Sequence, residues 1–175
     1  MIDPEVLSLE IASAFVSVGH GAALVFHERK LLTGTEPYLN EVRESNRKNM
    51  FLSLDPVPLE DVDLVYASAT IGLALYRGTQ ANHSQVSMAS GKVGQYLKHG
   101  TPIIVSRTES LVRLVGEAGI GVVVDDPTDG AEFDRAIGTL LGDYERYSAN
   151  ARRYFEEEMD FDRKARPLLD ALEAI

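Results

Sequence analysis

The apolar positions of this chain switch repeatedly between two periods, and each switch marks a new element. Behind Asp3-Pro4, a capping residue followed by a proline suited to the first helical position, Leu7, Ile11, Phe15 and Val18 recur at helical spacing. Gly19 and Gly21 stop that helix, and residues 22–27 (AALVFH) form a short apolar run of strand type. The alternation continues with a helix over 37–45, a strand over 50–54 (MFLSL) and a break at Pro56 and Pro58. Helical periodicity over 59–69 then gives way to a near-continuous apolar strand over 70–76 (TIGLALY). A polar loop over 77–84 leads to a helix that runs to His99 and is capped by Gly100. Strands over 102–106 (PIIVS) and 120–125 (IGVVVD) flank a helix over 109–118. From Ala131 onward every periodic segment is helical: 131–141, 148–158 and 161–175.

Short strands that are apolar on both faces, alternating with amphipathic helices, predict a parallel sheet covered by helices on both sides. The expected fold is α/β, a three-layer doubly wound, Rossmann-like sheet of about five strands. One domain over 1–175 is expected, with its core over 1–145 and C-terminal helices over 146–175. Such folds open on a strand at the sheet centre, whereas this sequence opens on a helix, so the first strand is expected to be missing.

Composition narrows the function. Seventeen basic against 27 acidic residues give a net charge of -10, which repels a nucleic-acid backbone and removes polymeric DNA or RNA from the expected partners. There is no cysteine, so disulfides, thiolate metal sites and cysteine nucleophiles are excluded. His20, His27, His83 and His99 do not fall at metal-ligand spacing, and no metal is implied. The sequence shows no membrane-length apolar run and no basic leader before its first helix, so a cytoplasmic location is expected.

Two glycine motifs invite a nucleotide reading and fail it. Gly91-Lys92 would need a glycine five positions earlier and Ser or Thr afterwards for a P-loop, but Val86 and Val93 stand there. Gly19-His20-Gly21 resembles the start of a dinucleotide fingerprint, yet it runs from helix into strand and Leu24 replaces the third glycine, so it reads as a turn. What remains at residues 87–92 is a set of small residues before a helix whose first turn carries a lysine. Free amides at a helix N-terminus favour an anion, and Ser87, Ala89, Ser90 and Gly91 let a phosphate approach the backbone. The plainer reading is an N-cap at Ser90 with a solvated lysine. Position favours the ligand, because the motif follows one parallel strand and precedes the next, where open α/β sheets bind.

The order of residues over roughly 50–160 resembles the donor-binding domain of GT-B retaining glycosyltransferases of the group-1/family-4 type. The resemblance rests on Tyr96-Leu97, Gly100, Pro102, Glu117, Gly121, Asp129 and Ala136-Ile137. The stretch Asp63 to Gly72 and the Asn150-Ala151-Arg152 segment of the tail add to it. It implies that Ala89, Ser90, Gly91 and Lys92, with Ser87 and Met88 before them, meet the donor sugar and its diphosphate, Lys92 stabilising the leaving group. Gln95 stands where the family's ribose-binding glutamate lies, and Ser87 where the earlier acid of its E-x7-E pair lies, so both acids are replaced. Tyr76 and Arg77 would face the diphosphate, and Ser53, Leu54, Asp55, Pro56 and Val57 would line the base pocket.

The implied substrate is a nucleoside-diphosphate sugar, with no further cofactor and no metal at Asp125-Asp126; Glu156 to Glu158 reads as a solvated helix face. The resemblance also implies an N-terminal acceptor domain missing from this sequence, so the chain by itself is expected to be a fragment that does not transfer sugar. The apolar stripe of the last helix, Leu168, Leu169, Leu172 and Ile175, is a candidate for self-association. Two other classes stay open. One is a response-regulator-like receiver with Asp55 as phosphoacceptor, although Arg107 stands where a receiver needs lysine. The other is a module that keeps the fold and binds without catalysis.

Overall fold

The computed structural model describes residues 2–77 and 90–173 of the chain. A short 3-10 turn (Pro4–Val6) leads into α1 (Ser8–Phe15), and the elements then alternate: β1 (Leu24–His27), α2 (Pro37–Ser45), β2 (Met50–Ser53), α3 (Val62–Ala67) and β3 (Gly72–Ala74). Beyond residue 89 come α4 (Gly91–Lys98), β4 (Ile103–Ser106), α5 (Glu109–Ala118), β5 (Gly121–Val124), α6 (Gly130–Gly142) and α7 (Tyr144–Tyr154). A π-helical turn (Phe155–Met159) joins α7 to the last helix, α8 (Phe161–Glu173).

All strand pairs are parallel, but they do not form one sheet. β1 pairs β2 in register Val25 with Phe51, and β3, β4 and β5 form a second sheet in that order. The expected single sheet of about five strands is therefore two sheets, of two and three strands. A side chain occupies the free edge of β3. Alternate residues of a parallel strand bond to either neighbour, and Gly72 donates to Pro102 O towards β4 (2.8 Å). Leu73, on the other edge, meets the hydroxyl of Tyr96 from α4.

Burial follows the period of the sequence. All four residues of β4 are buried, as an apolar strand between two helical layers requires. One core joins α1, α2 and α6 to the inward residues Leu24 and Phe26 of β1, to Ile104 and Val124 of the second sheet, and to Leu75 just beyond β3. The two sheets thus share that core. A second core packs α4, α5 and α7 on the other face of β3–β4–β5, through Val93, Leu97, Leu111, Leu114 and Ala151. The outer face of β1–β2 is bare: Val25 is 59% and Phe51 62% exposed. The Gly19–Ala22 segment is the turn its residues predict, with positive φ at His20 (57°) and Gly21 (65°) and a bond from Ala22 N to Gly19 O of 3.0 Å.

The N-terminal segment is fastened between the carboxyl ends of β1 and β3. Glu28, only 3% exposed, accepts from the backbone N–H of Ile2 (2.7 Å), Arg29 (2.9 Å) and Lys30 (3.3 Å), while Arg77 N donates to Glu5 O (3.0 Å). Burial pushes the Glu28 carboxyl up, but the amides outweigh it and hold it below the usual glutamate value. A depressed folded-state pKa adds stability above the unfolded value, and that stability is lost as pH falls through the folded one. Glu28→Ala should therefore cost about 2 kcal/mol at neutral pH, and denaturant melts should show the difference from wild type shrinking in acid.

Candidate functional site

The candidate site lies at the carboxyl ends of β3 and β4, over the N-terminus of α4. Ser90, with extended backbone (φ -81°, ψ 103°), is the N-cap, and its Oγ accepts from Val93 N (3.3 Å). Tyr76, two residues beyond β3, reaches across to share a hydrogen bond with that same Oγ (2.6 Å). The Tyr76 N–H donates to Ser106 Oγ at the end of β4 (3.0 Å), which ties the tyrosine to both strands. Lys92, in the first turn of α4, sets its ammonium 5.1 Å from the centroid of the Tyr76 ring. Burial brings the lysine from 10.5 down to about 8 and raises the Tyr76 phenol. One turn along, Gln95 Oε1 is buried and accepts no bond from any of the described residues.

Gly91 completes this arrangement. A Cβ built there meets nothing within 4 Å, so no packing within the described residues demands a glycine. Open space beside the first helical residue exposes amides that the helix itself leaves unpaired. The adjacent floor is aromatic. Tyr96 packs edge-on to Tyr66 (5.1 Å between centroids), and burial pushes its phenol up to about 12. Lys98 and His99 at the end of α4 both approach Asp63 of α3; Lys98 forms an ion pair with it, and His99 Nε2 lies at 3.8 Å.

Other expected positions fall elsewhere. Ser87, Met88 and Ala89 lie outside the described residues. Arg77 forms an ion pair with Glu10 of α1, and its Nε donates to Pro4 O (3.4 Å). Ser53, Leu54, Asp55, Pro56 and Val57 sit at the carboxyl end of β2, in the other sheet. There Ser53 Oγ bonds His27 Nδ1 (2.9 Å), and Asp55 is exposed. Asp125 pairs with Arg107, and Asp126 accepts from Thr128 N (2.8 Å) and Oγ1 (2.7 Å). Among the described residues, no three His, Cys, Asp or Glu side chains gather as a metal would require.

Sequence reasoning missed Ser106 and Thr108. Ser106 is buried and accepts from Tyr76 N, and Thr108 heads α5 with a buried Oγ1 that has no partner among the described residues. Their signal was the S-x-T that closes the apolar run PIIV, where a strand end meets a helix start. Two open hollows of roughly 170 and 350 Å³ lie away from the site, one between Glu117 and Arg153, the other between Val18 and Phe51. No helix among the described residues is long and apolar enough to cross a membrane. Neither the protein-family models nor the curated proteins contain a match to this chain.

Proposed function

We propose that this chain is the nucleotide-sugar-binding domain of a GT-B-type retaining glycosyltransferase, and that α4 receives the donor's diphosphate at its N-terminus. The observation that carries the reading is the convergence at one helix start of Ser90, a Gly91 that no other described residue crowds, and the Lys92 ammonium. Amides and a cation aimed at a leaving diphosphate stabilise the charge that grows as the glycosidic bond breaks. Gln95, whose buried Oε1 has no partner among the described residues, takes a ribose hydroxyl in this reading, and the acceptor substrate is held by a separate domain. Topology supports the fold assignment. One parallel strand set between β1 and β3 would turn the observed orders 2-1 and 3-4-5 into the 3-2-1-4-5-6 of the doubly wound fold.

Titration with UDP, GDP and ADP tests the proposal, and at least one should bind. Gly91→Ala makes the test sharper because its two effects have opposite signs. An alanine at an unobstructed helical position should stabilise the chain by about 0.5–1 kcal/mol, while its methyl group fills the space the phosphate needs. A more stable variant with weakened binding supports the site. Binding of all three nucleotides at wild-type strength by Gly91→Ala would exclude it. For the receiver reading, acetyl phosphate should label Asp55; nothing in the placement of that exposed carboxylate favours it.

A further inference from the structure

Parallel sheets are almost always covered by helices on both faces, because both faces of their strands are apolar. The β1–β2 pair breaks this rule, with Val25 and Phe51 side by side and exposed on its outer face. The chain also carries a helix with the opposite deficit. α8 buries none of its residues and exposes Phe161, Leu168, Leu169 and Leu172, which share one side at helical spacing. We propose that α8 of a second copy of this chain lies across the bare face of β1–β2, in a two-fold exchange.

Charge fixes the direction. The first half of α8 is basic (Arg163, Lys164 and Arg166 against Asp162), and its second half is acidic (Asp170 and Glu173). On the sheet, Lys48 precedes β2, whereas Asp55, Glu60 and Asp61 follow it. A helix running antiparallel to the strands sets its basic half towards those carboxylates and its acidic half towards Lys48. Arg29 and Lys30, which follow β1, repel the basic half and place the helix over β2. Helices in α/β layers run in this same sense relative to parallel strands. The lengths agree: 13 helical residues span roughly 20 Å, and the stretch from Lys48 to Asp55 roughly 25 Å. The hollow beside Phe51, lined by Val18, Gly19, Gly21, Ala22 and Ala23, gives a leucine side chain somewhere to enter. Two-fold symmetry forms the contact twice.

Sedimentation equilibrium on the full chain should give twice the 19.2 kDa protomer mass. Leu172→Asp and Phe51→Asp change exposed side chains, so their circular dichroism should match wild type. Each should weaken dimerisation roughly a hundredfold. Mixing the two variants should restore a dimer, because the Phe51→Asp copy keeps an intact α8 and the Leu172→Asp copy an intact sheet face. A wild-type chain that sediments as a protomer would overturn the proposal. So would a dimer insensitive to Phe51→Asp, as expected if α8 pairs with itself, or a mixture that stays monomeric.

Discussion

Lys92→Met is expected to stabilise the unliganded chain and to remove most of its affinity for a nucleoside diphosphate. The two effects have one cause. Burial brings the lysine from 10.5 down to about 8, so the folded state holds its ammonium at a cost that the unfolded chain does not bear. The cost is fully present below about pH 8 and is relieved as pH climbs towards the unfolded value of 10.5. Methionine keeps the aliphatic contact over the Tyr76 ring without the charge. Its stabilising effect should therefore be largest near neutral pH and fade in alkali. A hydrogen bond to a charged group contributes about 1.5–3 kcal/mol, so affinity for UDP, GDP or ADP should fall roughly tenfold to a hundredfold. Wild-type binding carries its own signature. Only the ammonium form attracts the phosphates, so above pH 8 affinity should decline by up to about tenfold per pH unit, with proton uptake on binding. Calorimetry in buffers of different ionisation enthalpy reads that uptake directly. Affinity that stays flat between pH 7 and 10, or survives Lys92→Met, would remove the lysine from the site.

The placement of Lys92 shows how far the sequence reaches. The order of elements was legible because each changes the local period, and α2 and α5 occupy the expected residues 37–45 and 109–118. Strand ends were less legible. Residues 22–23 and 70–71 belong to apolar runs but lie outside the ladders of β1 and β3, where no partner residue faces them. The helix expected from Ser148 begins at Tyr144, because its first turn is polar and shows no period. Division into two sheets was not legible at all. An alternation of helix and strand reads the same whether β1 and β3 pair or part, since pairing joins residues distant in sequence. The site divides along the same line. A serine before a helix announces its own cap, so Ser90 could be read locally. The Tyr76–Ser90 bond joins residues 14 positions apart, and Arg77 meets a carboxylate 67 positions away, which no local pattern encodes.

Gly72 carries the largest expected loss of stability tied to this site. It opens β3, and a Cβ there would stand 2.4 Å from Cδ2, 2.5 Å from Cγ and 2.8 Å from Cδ1 of Tyr96. Those atoms belong to a ring held by Tyr66 at one side and by the Leu73 amide at its hydroxyl, so it has no free rotamer to retreat into. Gly72→Ala must therefore move the ring, and with it α4, away from the strand. Overpacking of this kind costs about 3 kcal/mol, and the transition in a urea melt should shift accordingly. The cause can be isolated. In a Tyr96→Ala background the obstructing ring is gone, and the same substitution should cost roughly 2 kcal/mol less, the coupling expected of directly touching residues. If Gly72→Ala costs the same in both backgrounds, Tyr96 is not what requires the glycine. A displaced ring also reaches the site, because Tyr96 and Ser90 lie on one helix and Tyr76 bonds the latter. The variant should bind nucleoside diphosphates more weakly although Gly72 is no part of the phosphate cradle, and Tyr96→Ala should recover part of that affinity when the glycine is already replaced.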